Sequence, residues 1–287
     1  MSGSNKRMRE LLRQRRAVLL PGAANALTAR IIEDLGFEAI YVTGAGVTNT
    51  FLGMPDIGLI SVTELADHVA AMRDAVALPL IVDADTGFGN AINVTRTVKL
   101  LERSGASAIQ LEDQEFPKRC GHFSGKTVIA RDEMVQKIRA AADARIDPDL
   151  VIVARTDAIA VNGFEDAIER AQAYIEAGAD MTFVEAPRTP EQIADIPKRL
   201  HVPQLLNIVA GGLTPMLALP ELERMGYALV LYANAALQAS VAGMQKVLGH
   251  LKANGSLDGV SDQLAAFGER QRLVQKPRFD ALEKKYS

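Results

Sequence analysis

Short apolar runs alternate with amphipathic stretches along most of the chain. The runs are rich in β-branched and aliphatic residues, and in the stretches between them apolar positions recur every three or four residues. Continuous apolar runs of this length are typical of parallel strands that are buried on both faces. The predicted strands are 18–20, 39–42, 80–84, 108–111, 151–154, 181–184, 204–207 and 229–232. The predicted helices include 26–35, 93–104, 133–144, 164–177, 191–200 and 215–225.

Strands that alternate with helices form either a closed barrel or a doubly wound sheet. The first predicted strand is followed by Pro21, Gly22, Ala23 and Ala24 and not by the G-x-G-x-x-G turn of dinucleotide-binding folds. Glycine follows the ends of several predicted helices, where a left-handed cap starts the turn to the next strand. These glycines are Gly36, Gly105, Gly178 and Gly226.

Polar groups follow nearly every predicted strand, and their placement favours the barrel. Active sites of (β/α)8 barrels lie at the carboxyl ends of the strands. The groups in question are residues 43–46, Asp83, Asp85, Glu112, Arg155, Glu185 and Asn207. We therefore expect a (β/α)8 TIM-type barrel as one domain over residues 1–287, with 236–287 forming extra C-terminal helices.

Composition narrows the classes of function. The 287 residues are 48% hydrophobic with a net charge of −3, and basic residues are concentrated only in 6–16, which we interpret as a solvated helix face. This charge disfavours nucleic acid and anionic membranes as partners. The chain has one cysteine, no tryptophan and no apolar run long enough to span a bilayer. A cytoplasmic enzyme fits these features.

Asp83 and Asp85 suggest a magnesium site. They are separated by one residue at a strand end, so both carboxylates can reach the same ion, and Glu112 ends the next strand. Mg²⁺ prefers a few carboxylates and retains several waters. Arg155 would compensate the acids, and its planar fork suits a substrate carboxylate, while Glu185 and Asn207 would orient it or the substrate. Each of these residues taken alone also fits a plain turn or structural hydrogen bond.

The segment 116–126 is the most unusual part of the sequence. It places Cys120 and His122 among two lysines and an arginine, with glycines at 121 and 125. Neighbouring cations lower a thiol pKa, and a long loop that contains glycines is typical of a lid. We prefer an acid/base thiol on a gate loop to a buried filler cysteine, a zinc ligand or a Cys–His nucleophile. In the loop after the second strand, the glycines at 44 and 46 leave backbone N–H groups that can hold a carboxylate.

The sequence resembles the isocitrate lyase / phosphoenolpyruvate mutase superfamily from about Leu19 to the C-terminus. The likeness rests on the motifs at 41–45, 83–89, 110–114, 118–122, 154–158 and 184–186, and on Asn207. It implies a barrel whose last helix is swapped between subunits, in a homotetramer built as a dimer of dimers. It also implies that Asp83 and Asp85 hold Mg²⁺, or Mn²⁺, with Glu112 assisting through water. The residues that would meet the substrate are Thr43, Gly44, Ala45, Asp56, Gly121, His122, Arg155, Glu185 and Asn207.

The resemblance implies cleavage beside the carboxylate of a small α-oxo or α-hydroxy acid. In the lyase branch a base, for which Tyr41 is the candidate, removes the 2-hydroxyl proton, and Cys120 protonates the departing fragment. Gln238 stands where 2-methylisocitrate lyases carry an arginine, and Phe123 replaces a basic residue of the gate loop. Losing two cations favours a smaller substrate such as 2,3-dimethylmalate. The alternatives are carboxyphosphonoenolpyruvate or phosphoenolpyruvate mutase chemistry, oxaloacetate hydrolysis, and a barrel that only binds a metabolite.

Overall fold

Eight parallel strands form a closed barrel in which sequence order is also spatial order. The structure, a computed structural model, describes residues 2–118, 125–209 and 211–287. Each strand pairs with the next along the chain, and β8 closes the barrel by pairing with β1. The strands are β1 (Val18–Ala23), β2 (Ile40–Val42), β3 (Leu80–Asp83), β4 (Ala108–Glu112), β5 (Val151–Thr156), β6 (Met181–Val184), β7 (Gln204–Asn207) and β8 (Leu229–Tyr232).

Helices surround the barrel and extend beyond its last strand. In the described ranges they are α1 (Ser2–Gln14), α2 (Ala26–Asp34), α3 (Gly44–Leu52), α4 (Val62–Ala75), α5 (Ala91–Arg103), α6 (Arg131–Ala144), α7 (Phe164–Glu176), α8 (Pro190–Arg199), α9 (Leu219–Met225), α10 (Ala235–Asn254), α11 (Phe267–Leu273) and α12 (Lys276–Tyr286). The predicted (β/α)8 barrel and the predicted C-terminal helices are thus confirmed.

The predicted strands all occur, and β6, β7 and β8 have the predicted bounds. The predicted helix starts differ from the observed ones by at most two residues except at α9, which begins at Leu219 and not at 215. Pro220 occupies the first turn of α9, where proline favours helix initiation. Two helices, α3 and α4, were not among the predicted ranges. The four glycines predicted to cap helices all have positive φ.

The barrel interior is filled by inward-facing strand residues. Tyr41, Ile81, Val153, Phe183 and Leu205 belong to one buried cluster that spans the barrel. Residues of alternate parity, such as Val42 and Val82, pack instead against the surrounding helices. Because side chains alternate along a strand, Tyr41 points into the barrel and Val42 points out towards the helices.

Helix α1 closes the amino end of the barrel. Met8, Leu11 and Leu12 are buried in the same cluster as the inward-facing strand residues. From the same helix, Arg9 Nη1 donates to Asp180 Oδ1 at 2.7 Å, and the other Asp180 oxygen accepts from Arg145 Nη1 at 2.7 Å. The interpretation of 6–16 as a merely solvated basic face was therefore wrong for Arg9, whose charge is paired against the barrel.

Helix α10 has no buried residues in this single chain. Its apolar residues Val241, Met244, Leu248 and Leu251 recur every three or four positions and all are exposed. Spacing of this kind forms one continuous stripe along a helix. Within the described ranges, no helix combines the length and the apolar character that a membrane span requires.

Candidate active site

A cavity opens at the carboxyl end of the barrel, where the sequence placed the site. It is lined by the predicted residues Tyr41, Thr43, Ala45, Asp56, Asp83, Glu112, Arg155, Glu185 and Asn207. Its wall also includes residues that the sequence analysis did not select: Lys118, Phe183, Val209, Leu231, Ala233 and Asn234. The strand ends therefore converge on one small, mixed polar and apolar chamber. Cys120, Gly121 and His122, like Phe123, lie outside the described residues.

Asp83 and Asp85 lie side by side under the start of α3. A Cβ added at Gly44 would come within 3.3 Å of both Asp83 Oδ2 and Asp85 Oδ1. Gly44 therefore matters because any side chain there would crowd the carboxylates. Asp85 itself has a φ of 48°, in the left-handed region that residues with a side chain seldom adopt. The backbone thus turns sharply between the two acids and brings them to one place.

Lys118 joins this acidic group from the chain segment that follows β4. Its Nζ lies 2.5 Å from Asp56 Oδ1 and 2.8 Å from Asp85 Oδ1, and all three side chains are buried. Burial alone would lower the pKa of Lys118, but Asp85, Glu112, Asp56 and Asp83 together raise it well above its usual value. The lysine therefore stays charged and compensates part of the negative charge of these acids.

The acids remain under-compensated even beside Lys118. Burial raises the pKa of Asp85 to about 6, against the opposing influence of Lys118. Burial also raises the pKa of Glu112 well above its usual value, and its Oε1 has no hydrogen-bond partner among the described residues. A further cation would stabilise both carboxylates in their ionised form.

The donor set fits a hydrated magnesium ion. Within 2–118, 125–209 and 211–287, no group of three or more His, Cys, Asp and Glu side chains is placed so that it could hold a metal ion. Mg²⁺ does not need three such side chains, because it commonly binds one or two carboxylates and keeps waters or substrate oxygens in the other positions. Asp83 and Asp85 could supply those carboxylates, and Glu112 Oε1, which has no hydrogen-bond partner among the described residues, could accept from a water bound to the ion.

Arg155 lines the same chamber as Asp83 and is held by three carboxylates. Its Nε and Nη2 donate to the two oxygens of Asp157 at 2.8 and 3.1 Å. Glu112 Oε2 lies 3.4 Å from Nε, and Glu185 Oε2 lies 3.3 Å from Nη2. The guanidinium also lies over the ring of Phe183, 5.1 Å from its centre. The contact with Glu112 follows from the strand register, because Glu112 and Arg155 are paired neighbours on β4 and β5.

The loop after β2 is the first turn of α3. Thr43 is its N-cap, and the Thr43 hydroxyl accepts from the Gly46 N–H at 3.2 Å. N–H groups of a first helical turn have no partner within the helix and favour anions. The expected concave nest of backbone donors is therefore a helix N-terminus. The hydroxyl of Thr43 also contacts Asn234 Oδ1 at 3.4 Å, which links this turn to the end of β8.

Tyr41 is fully buried on the barrel axis beside Asp83. Burial, reinforced by the charge of Asp83, raises the pKa of its phenol well above 10. The phenol therefore keeps its proton in this state of the site and can donate a hydrogen bond. The electrostatics disfavour the predicted role of Tyr41 as the base, which stays untested.

Three of the additional wall residues follow patterns that are visible in the sequence: Phe183, Leu231 and Asn234. Phe183 and Leu231 have the inward parity of their strands, which a period of two would have selected. Asn234 is the polar residue that follows β8, so the rule applied to the other strand ends points to it as well. At Gly22, a Cβ would lie 1.9 Å from the carbonyl oxygen of Ala233. This close approach of β1 to the turn after β8 places residues 233 and 234 at the cavity.

A family model described as phosphoenolpyruvate phosphomutase matches residues 8–252, most of the chain. The chain belongs to the phosphoenolpyruvate mutase family. Membership in the isocitrate lyase / phosphoenolpyruvate mutase superfamily, predicted from the motifs, is thereby confirmed. The matched range covers the whole barrel and most of α10, so it includes every element that lines the cavity.

Curated relatives of this family match almost the full length. The chain is 43% identical to 2,3-dimethylmalate lyase of Eubacterium barkeri over 281 residues, which cover 98% of this chain and 97% of that protein. It is 46% identical to 2-methylisocitrate lyase of Aeropyrum pernix over 267 residues, covering 93% and 86%. It is 42% identical to the chloroplastic carboxyvinyl-carboxyphosphonate phosphorylmutase of Arabidopsis thaliana, covering 98% and 84%. The prediction that the chain is an enzyme of this lyase superfamily is confirmed.

Solved structures of the superfamily have the same fold over the same length. Oxaloacetate acetylhydrolase in complex with 3,3-difluorooxalacetate matches with a TM-score of 0.93 and 34% identity, covering 100% of this chain and 98% of that chain. A 2,3-dimethylmalate lyase matches with a TM-score of 0.93 and 32% identity, covering 99% and 95%. Phosphonopyruvate hydrolase in complex with oxalate and Mg²⁺ matches with a TM-score of 0.89 and 33% identity, covering 99% of both chains.

Proposed function

We propose that this protein is a magnesium-dependent lyase that cleaves a carbon–carbon bond of a small 2-hydroxy acid, either a dicarboxylate such as 2,3-dimethylmalate or a tricarboxylate such as 2-methylisocitrate. The proposal rests on one observation: carboxylates and a guanidinium line the same cavity. Asp83 in the cavity wall, with Asp85 next to it, suits a cation, whereas Arg155 and the N-terminus of α3 suit a carboxylate. A substrate with a hydroxyl beside a carboxylate satisfies both sides at once.

The rest of the cavity wall favours a small substrate. Phe183, Val209, Leu231 and Ala233 give it an apolar part. Among the described wall residues the cations are Arg155 and Lys118, and Lys118 is already paired with Asp56 and Asp85. A third carboxylate would find no unpaired cation in this part of the wall. We therefore favour 2,3-dimethylmalate over a tricarboxylate.

The reaction breaks the bond between C2 and C3 of the substrate. When bound, Mg²⁺ would stabilise negative charge on the oxygens of the α-oxo acid product. Arg155 would hold the adjacent carboxylate, and protonated Tyr41 would donate a hydrogen bond towards the same end of the substrate. A base removes the proton of the 2-hydroxyl group, and C2 becomes the carbonyl carbon of the α-oxo acid as the C2–C3 bond breaks. The bonding electrons stay on C3, so the fragment that contains C3 leaves as an enolate-like dianion. Cys120 would then protonate that carbon, so that 2,3-dimethylmalate gives pyruvate and propionate.

A parallel substrate assay tests this proposal. Purified protein with Mg²⁺ would be offered 2,3-dimethylmalate, 2-methylisocitrate, isocitrate, oxaloacetate and phosphonopyruvate, and each reaction would be followed by its own product. Fast release of pyruvate from 2,3-dimethylmalate supports the lyase with an apolar far end. Release of oxalate from oxaloacetate would instead indicate a hydrolase. Release of pyruvate and a phosphorus product from phosphonopyruvate would instead indicate phosphonate chemistry.

We also propose that the chain assembles as a homotetramer, a dimer of helix-swapped dimers. The exposed apolar stripe of α10 supports this assembly, because a stripe of this kind is stable when a second copy covers it. We expect light scattering behind size exclusion to give four times the chain mass of 30.9 kDa. A Leu248→Glu variant should elute at a lower mass, and a monomer for the unmodified chain would contradict the assembly.

A further inference from the structure

Behind Arg155 lies a second layer of buried charge that the proposed reaction does not itself use. Asp157 accepts from Nε and Nη2 of Arg155, and its Oδ1 also accepts from Lys126 Nζ at 2.7 Å. The side chains of Asp157 and Lys126 are 0% and 2% exposed, so both ions are shielded from water. Neither residue is part of the cavity wall. A buried charge pair of this kind is costly unless each member is well compensated.

Asp157 is anchored on both of its sides. Its backbone N–H donates to Asp113 Oδ1 at 2.9 Å, and Asp113 Oδ2 accepts from Thr156 at 2.7 Å and from Tyr174 at 2.8 Å. Burial alone would raise the pKa of Asp157, but Arg155 and Lys126 outweigh it and bring the value to about 2. The carboxylate is therefore ionised, and its backbone and its oxygens are both fixed.

This arrangement decides which edge of Arg155 is available. Two of the three guanidinium nitrogens are bonded to Asp157, while Nη1 has no hydrogen-bond partner among the described residues. Arg155 lines the cavity, so the nitrogen left over can serve a ligand there. We propose that Asp157, itself held by Lys126, is a positioning residue that turns the guanidinium of Arg155 towards the substrate carboxylate. The inference rests on the carboxylate-binding role given to Arg155 in the proposed function.

The test is calorimetric binding of oxalate in the presence of Mg²⁺. Oxalate presents two adjacent carboxylates and needs no turnover, so the result does not depend on which bond the enzyme breaks. Asp157→Asn keeps the shape of the side chain but loses the charge and one of the two acceptors facing Arg155. We expect it to bind oxalate about tenfold to hundredfold more weakly, comparable with the loss of a hydrogen-bond partner that orients a metal ligand.

The matched control is Asp180→Asn. Asp180 is also a carboxylate between two cations, Arg9 and Arg145, but it lies at the amino end of the barrel. Its loss should lower the melting temperature and leave oxalate affinity unchanged. In steady state, Asp157→Asn should raise KM more than it lowers kcat, because the carboxylate contact exists before and during the reaction. A purely structural role would move the melting temperature without this split.

Lys126 provides a second, milder test if Asp157→Asn does not fold. Lys126→Met should weaken oxalate binding several-fold, since Asp157 then loses one of its two cations, and Lys126→Arg should restore most of the affinity. Oxalate affinities within twofold of the unmodified protein in Asp157→Asn, or in Lys126→Met, would overturn the positioning role. Absence of oxalate binding in the unmodified protein would overturn it as well. Failure of every tested hydroxy acid to react would instead contradict the proposed function alone.

Discussion

Asp85→Ala should lower turnover of the preferred hydroxy acid by about a thousandfold or more, equivalent to roughly 4 kcal/mol of lost transition-state stabilisation. The carboxylate of Asp85 lies beside that of Asp83, and burial raises its pKa to about 6 although Lys118 is 2.8 Å away. The raised pKa means that burial disfavours the ionised carboxylate, and a bound cation would stabilise that ionised form. Removing Asp85 would delete one of the two proposed carboxylate ligands and also one partner of Lys118.

The measurement for this variant separates metal binding from chemistry. Turnover would be followed with increasing Mg²⁺, and Mn²⁺ affinity would be measured independently by electron paramagnetic resonance. Asp85→Ala should lose affinity for the ion, whereas the Asp180→Asn control should retain it. Activity of the unmodified enzyme should vanish with excess chelator and return when Mg²⁺ is restored. Full activity in excess chelator would contradict a metal-dependent reaction, and unchanged turnover in Asp85→Ala would contradict metal binding by Asp85.

Cys120→Ser should lower turnover by at least about a hundredfold if the thiol is the general acid. A serine hydroxyl has nearly the same size, but it is a much weaker acid and so donates its proton less readily to the departing carbon. Cys120 lies outside the described residues, so this prediction depends on its sequence neighbours, among them Lys118 and His122. Ligand binding provides the control, because Mg²⁺ and oxalate should bind to Cys120→Ser as they do to the unmodified protein.

The outcome for Cys120→Ser also separates the two classes of chemistry. Carbon–carbon cleavage leaves a carbanion-like fragment that must gain a proton, whereas phosphonate rearrangement needs no such acid. Near-normal release of pyruvate from 2,3-dimethylmalate would therefore contradict the acid role of the thiol. Normal turnover confined to a phosphonate substrate would contradict the lyase proposal itself.

The barrel was predictable because its strands are buried on both faces. A strand such as Met181–Val184 is a continuous apolar run between a glycine-capped helix and a polar strand end, and its bounds were predicted correctly. Helix α4 was equally predictable in principle, since Ser61 and Glu64 form a capping box before an amphipathic stretch. Helix α3 was harder to predict, because Gly44 and Gly46 in its first turn have poor helix propensity.

The site was predictable as a set of strand ends, but its ion pairs were not. Asp56, Asp85 and Lys118 come from three different loops, and no local pattern specifies that one lysine bridges both acids. The same holds for Lys126, which reaches Asp157 across 31 positions of sequence. Sequence spacing indicates which residues gather at the mouth of a barrel. Their pairing depends on side-chain directions that only the folded chain defines.

The most direct test of the central claim is proton NMR of 2,3-dimethylmalate incubated with the purified protein, with Mg²⁺ and with excess chelator. We expect equal amounts of pyruvate and propionate that form together when Mg²⁺ is present and do not form when it is removed. In ²H₂O, the propionate should carry one deuterium at C2, delivered by the enzyme to the former C3 carbon. Unchanged substrate in Mg²⁺, while oxaloacetate or phosphonopyruvate is consumed in parallel, would contradict the assignment of this enzyme as a lyase of small 2-hydroxy dicarboxylates.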